Sequence, residues 1–163
     1  MVGRDYETLS DKGGGGMSVI YLNERRLNNQ LQFERSLLKE LTLEEVQRDS
    51  EKRFKRYFPS YTVYTSAIRE EAIEQAIEAF LLGAEGSEKV EEGLANEEIT
   101  NGYLPELRRL SFEFFDYMDY WNEATGANVW HFNRARASAE QFFLYWFQVG
   151  IEKGIRRRKL KMK

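Results

Sequence analysis

FEFFDYMDYW, residues 112–121, sets six aromatic rings among ten residues and spaces Glu113, Asp116 and Asp119 between them. An acidic active site in an aromatic pocket and a single amphipathic helix both fit that composition, and helical geometry separates them. At about 100° per residue, Leu107, Leu110, Phe114, Tyr117, Met118 and Trp121 fall within a sector of about 100°. Glu106, Glu113, Asp116, Asp119 and Glu123 gather on another side. The carboxylates are interleaved in sequence but segregated in space. The stretch therefore predicts a helix with Pro105 in its first turn, running to about Asn122, with a core stripe and a solvated acidic face. Carboxylates left in water make poor general acids at neutral pH.

Phe112 and Phe115 stand off that stripe. Phe112 projects into the acidic sector and Phe115 lies opposite its centre, so the two either pack under segment 84–104 or form a subunit or partner contact, where aromatics are enriched. Phe112, Phe115, Glu113, Asp116 and Asp119 are accordingly the candidate interface.

The helical period extends outward on both sides. Leu27, Leu31, Leu38 and Leu41 share a stripe and predict a first helix over about 24–41. Thr42 to Glu45 form a capping-box pattern that restarts a second helix, with Leu43, Val46, Phe54 and Tyr57 inward and Pro59 beyond its end. SYTVYTS, residues 60–66, alternates β-branched and aromatic residues. It reads either as a short strand, paired with SVIYL at 18–22, or as an extended linker entering an N-cap at Thr65 or Ser66. A third helix over about 67–82 carries a ridge of small residues, Ala72, Ala76, Ala79 and Gly83, which admits a close partner helix. The Gly-, Asn- and Glu-rich stretch at 84–103 reads as a mobile loop. The last helix begins between Asn128 and Ser138. Phe142, Phe143, Trp146, Phe147, Val149 and Ile151 cover most of its circumference, which makes it the central helix. Gly150 and Gly154 on one face predict a close crossing, with this helix's aromatics against the alanine ridge of the third.

The expected architecture is an all-α single-domain bundle of about five helices, with at most a minor two-stranded element. Residues 1–16, which end in four glycines, read as a disordered leader or linker, or as a translated ribosome-binding site that would make Met17 the native start. Residues 17–155 form the helical domain, and 156–163 a basic tail continuing the last helix.

Several chemistries lack their residues. The chain has no cysteine and one histidine, His131, so thiolate sites, di-iron Glu-x-x-His pairs and three-histidine sites are ruled out. GGGG lacks the strand, helix and lysine of a phosphate loop. Glu70, Glu71, Glu74 and Glu78 could attract Mg²⁺, although glutamates on a helix surface are commonly only solvated. No catalytic residue, cofactor or metal is assigned, and the absence of a signal or membrane-length segment makes a cytoplasmic location the default.

Charge is unevenly placed. Arg156, Arg157, Arg158, Lys159, Lys161 and Lys163 end the chain, and without them a formal net charge of −3 becomes −9. Such a tail suits an acidic surface of this or another protein, or a polyanion such as nucleic acid or an anionic membrane; the plainer reading is a helix end whose cations complement its dipole. A non-enzymatic interaction or regulatory protein, with an unknown protein partner or a second copy, is the leading expectation, and polyanion binding ranks second.

The segments SVIYLNERRLNNQLQFERSLLKELTLEEV, AIEQAIEAFLLGAEGS, DYMDYW and FFLYWFQVGIEKGIRRRKLK together resemble the YbaK-like proteins of unknown function from spore-forming Bacillus-type bacteria, distinct from the deacylase of the same name. The resemblance spans residues 17–163. It implies a Gram-positive cytoplasmic protein and supplies no activity and no site residues.

Overall fold

The chain divides into two compact units, Met1–Glu40 and Leu41–Lys163. The structure, a computed structural model, describes residues 29–39, 41–58, 61–124 and 132–161. Regular structure among them is helical with no strand, as the all-α reading expects, but the helices number six rather than about five.

In the first unit α1, residues 29–38, buries Phe33 and Leu37, while Leu31 is 42% exposed. A stripe drawn through leucines alone overlooked Phe33, which with Leu37 makes the i, i+4 pair that is buried.

The second unit opens with α2 (Leu43–Phe54), which starts where the T-L-E-E spacing places it, yet Thr42 makes no side-chain cap. Its carbonyl instead accepts from the Glu45 and Val46 amides at 3.0 and 3.3 Å, and Glu44 and Glu45 complement the helix dipole. Val46, Ser50 and Phe54 face inward at i+4 steps, whereas Leu43, expected inward, is exposed.

After the 3₁₀ turn Lys55–Tyr57 the chain is helical again from Tyr61. Neither a strand nor an extended linker forms at 61–66; SVIYL and Pro59 lie outside the described residues. Tyr64 and Ile68, four apart and both fully buried, need one helical face, and a strand cannot give residues four apart that face together with Ala67. A π-turn, Tyr64–Ile68, leads into α3 (Arg69–Gly86). The Tyr117 hydroxyl donates to Ala67 O at 2.9 Å inside that widened turn.

The stretch expected to be a mobile loop is largely helical. A 3₁₀ turn, Ser87–Val90, leads to Gly93 at φ +89°, a backbone that glycine adopts without penalty, and then to α4 (Asn96–Gly102), the helix additional to the five expected. The Glu98 carboxylate accepts from the Ala95 amide at 3.2 Å, which is half of a capping box. Ile99 is buried and Gln148 donates to Thr100 Oγ1 at 2.9 Å, so tertiary contacts fix a segment whose composition favours a loop.

α5 (Leu104–Ala124) and α6 (Phe132–Lys161) complete the unit. Phe54 of α2, Phe114 of α5 and Phe142 and Phe143 of α6 form a ring cluster, with centroids 4.9 to 5.7 Å apart in tilted or edge-on pairs. Each fully buried ring contributes on the order of 1.5–3 kcal/mol.

α3 and α6 cross at backbone contact, as the small-residue ridge predicts. A methyl group on Gly83 would fall on the Phe147 carbonyl oxygen and within 2.9 Å of the Ile151 amide; one on Gly150 would fall on the Phe80 carbonyl oxygen. Ala72, Ala76 and Ala79 are buried along the same ridge, with Phe142, Phe143, Trp146 and Phe147 buried on α6. Gly154 extends the close approach to Ser87.

Candidate functional site

The buried arc of α5 is wider than its apolar stripe. Leu107, Leu110, Phe114 and Met118 are buried as expected, but Ser111, Phe115 and Asn122 are buried beside them. Phe115, 5% exposed, thus belongs to the core rather than off it. The polar residues hid the extension: Ser111 donates to Leu107 O at 2.9 Å, and Asn122 to Tyr57 O at 3.0 Å. Their hydrogen bonds are met locally or by backbone, so burying them carries no unpaired-group penalty.

Beside Phe115 a groove of about 450 Å³ opens between α5 and the first turns of α6. Arg108, Ser111, Phe112, Phe115, Asp116 and Asp119 form one wall, and Arg136 and Glu140 the other. Phe112 stands 62% exposed at this groove. Arg136 and Glu140 pair at 3.5 Å. The groove therefore combines an apolar floor with both signs of charge on its walls.

Glu113 takes a different role from its four companions in the candidate interface. It sits 3.3 Å from Arg109, which also reaches Glu78 of α3 at 3.0 Å. The hydrogen bond to Glu78 comes first among the causes that raise the Arg109 pKa, with Glu113 adding to it. Those three residues tie α5 to α3, and Phe112, Phe115, Asp116 and Asp119 line the groove. Arg108 was missed although it lies one helical step before Phe112; Arg136 and Glu140 carry no sequence signal, because only the packing of α6 brings them near.

A second, more open groove of about 350 Å³ is lined by Glu45, Arg48, Asp49, Lys52, Tyr145 and Trp146. Of its lining groups, Trp146 Nε1 donates to Asp49 at 3.0 Å, and the adjacent Arg53 pairs with Asp49 at 2.9 Å and sets its guanidinium 5.6 Å from the Tyr145 ring centre.

The basic end of the chain is helical to Lys161. Arg156 pairs with Glu152 at 3.6 Å. Arg158 donates through Nε to Ser87 Oγ at 2.9 Å and through a terminal nitrogen to Ala84 O at 3.4 Å, which binds it to the C-terminal end of α3. Arg157 is half-buried and Lys159 exposed; the side chain of Lys161, all of Lys163, and His131 lie outside the described residues. Of the acidic residues on α3, Glu71 accepts from Gln75 and Glu78 from Arg109, and among the described residues no three acidic or histidine side chains gather as a metal site would require. No helix among the described residues is long and apolar enough to cross a membrane.

No curated protein and no solved structure gives a significant match to the chain. Residues 17–163 match the family described as "Protein of unknown function (DUF2521)". With nine-tenths of its length covered by that match, including every helix described above, the chain belongs to the DUF2521 family.

Proposed function

We propose that this protein is a cytoplasmic, non-catalytic interaction module that docks a protein partner on the groove edge made by Phe112, Phe115, Asp116 and Asp119. The observation that carries this reading is Phe112, 62% exposed on α5 at the rim of a groove floored by Phe115. An exposed aromatic over an apolar floor, rimmed by charge, is the composition of a contact hot spot. A role in a Gram-positive, Bacillus-type cell agrees with the YbaK-like resemblance. Capture from native extract on the immobilised full chain tests the reading: a specific protein should be retained and should be lost with Phe112→Ser. Equal retention by both chains would discard this face.

Polyanion binding through the C-terminal cations ranks second. Arg158 is already committed to α3 and Arg156 pairs with Glu152, which leaves fewer charges to release counterions from phosphates. Exposed Lys159 favours the alternative. Truncation at Ile155 would also remove the Arg158 contacts, so Lys159→Gln, Lys161→Gln and Lys163→Gln together make the cleaner test. If these lysines bind DNA, three charges give a log–log salt slope of about −3 that vanishes in the triple variant.

A further inference from the structure

α5 carries a ridge of residues four apart: Leu104, Arg108, Phe112, Asp116 and Tyr120. Phe112 and Tyr120 are 62% and 64% exposed; Arg108 and Asp116 are exposed, and Leu104 is half-buried. Among the described residues no ion pair or hydrogen bond engages Arg108 or Asp116, although the neighbouring Arg109 and Glu113 pair with each other. At a rise of about 1.5 Å per residue, Arg108 and Asp116 stand about 12 Å apart along the helix, too far to satisfy one another. The ridge is antisymmetric in charge about Phe112, with a cation one step before it and an anion one step after. Apolar residues lie one step further out on each side.

We propose that this ridge docks on the same ridge of a second copy of the chain, antiparallel, about a two-fold axis at Phe112, so that Arg108 of each chain meets Asp116 of the other. This names the occupant of the face read above as an interaction surface and rests on that reading. Self-complementarity of one patch is what a two-fold contact requires. A parallel pairing would set Arg108 against Arg108 and Asp116 against Asp116, so the charges select the antiparallel arrangement. Ridges of residues four apart are those that interdigitate in the commonest class of helix crossing, at about −50°. The groove beside the ridge, about 450 Å³ and floored by Phe115, gives the other chain's Phe112 a place to enter. A single pair of crossing helices buries less than the roughly 1,200 Å² of a standard interface, so the dimer is weak and reversible, with Kd on the order of micromolar or above.

Sedimentation velocity on the full chain over a rising concentration series tests the proposal, with circular dichroism as the check that each variant folds. The wild type should pass from monomer to dimer. Arg108→Asp and Asp116→Arg should each weaken association about tenfold, because both symmetry-related pairs become repulsive at an exposed site. An equimolar mixture of the two variants should associate as the wild type does, since each supplies what the other lacks. The double variant Arg108→Asp/Asp116→Arg should do the same. A wild type that stays monomeric throughout, single variants that dimerise normally, or a mixture that fails to recover would each overturn the proposal. If the wild type is monomeric but Phe112→Ser still loses a captured protein, the second copy is refuted while the interaction surface stands. If Phe112→Ser changes neither association nor capture, both fall.

Discussion

The crossing of α3 with α6 and the outer face of α5 both carry aromatic rings and use them to opposite ends. At the crossing, Gly83 and Gly150 remove side chains so that two backbones touch, and the surrounding rings are buried. On α5, Phe112 sits among charges and remains in solvent. The difference is whether a neighbouring helix supplies a surface of matching shape. Where it does, an aromatic becomes core; where it does not, the aromatic stays available to another molecule.

Substitution at the crossing should have the largest effect. Gly150→Ala directs a methyl group at a backbone carbonyl that cannot rotate away, and should cost at least ~3 kcal/mol or prevent folding. Urea denaturation measures it; a loss under ~1 kcal/mol would show that the helices are further apart than described.

Ser50→Ala probes the buried polar contact between α2 and the π-turn. The Ser50 and Tyr64 hydroxyls are hydrogen-bonded in a fully buried position. Removing one partner should cost about 1–3 kcal/mol, and adding Tyr64→Phe should recover part of that loss. Additive losses would mean the two hydroxyls are not coupled.

Arg158→Met keeps the stem of the side chain and removes its hydrogen bonds to Ser87 and Ala84. A loss of about 1 kcal/mol is expected by thermal denaturation. An unchanged melting temperature would return Arg158 to the pool of cations available to a polyanion.

The crossing was legible in sequence because glycine and alanine at helical spacing have one main use in a helix of this kind, namely to admit a partner. The width of the α5 core was not legible. Ser111 and Asn122 are polar, so a wheel scored on apolar residues ends before Phe115, and the wider arc shows only in the packed structure, where Asn122 bonds to Tyr57 O. α4 was missed for a related reason: Asn96–Gly102 lacks an apolar stripe, and a single residue, Ile99, with the bond from Gln148, holds it in place. One wall of the groove is invisible in sequence, because Arg136 and Glu140 come to line it only through the docking of α6.

A smaller effect concerns Tyr103, whose ring lies 5.3 Å from that of Phe147. Burial first, then the charges of Glu85, Glu106 and Glu88, push its phenol from the usual 10.0 up to about 12. The folded state thus prefers the protonated form. The resulting stability is present below pH 10 and is lost as pH rises from about 10 to about 12. For a half-exposed group, solvent screening reduces this to about 1 kcal/mol or less. Tyr103→Phe should flatten that part of the stability–pH profile, and an unchanged slope would remove Tyr103 as its source.

Phe112→Ser should have the smallest effect on stability, and it tests most directly the division between a closed crossing and an open binding face. Urea denaturation at a protein concentration well below that of association should place the variant within about 0.5 kcal/mol of the wild type, as for a surface residue outside any packed contact. A loss of 2 kcal/mol or more would mean that Phe112 is packed within the monomer, and that the groove on α5 is closed in solution.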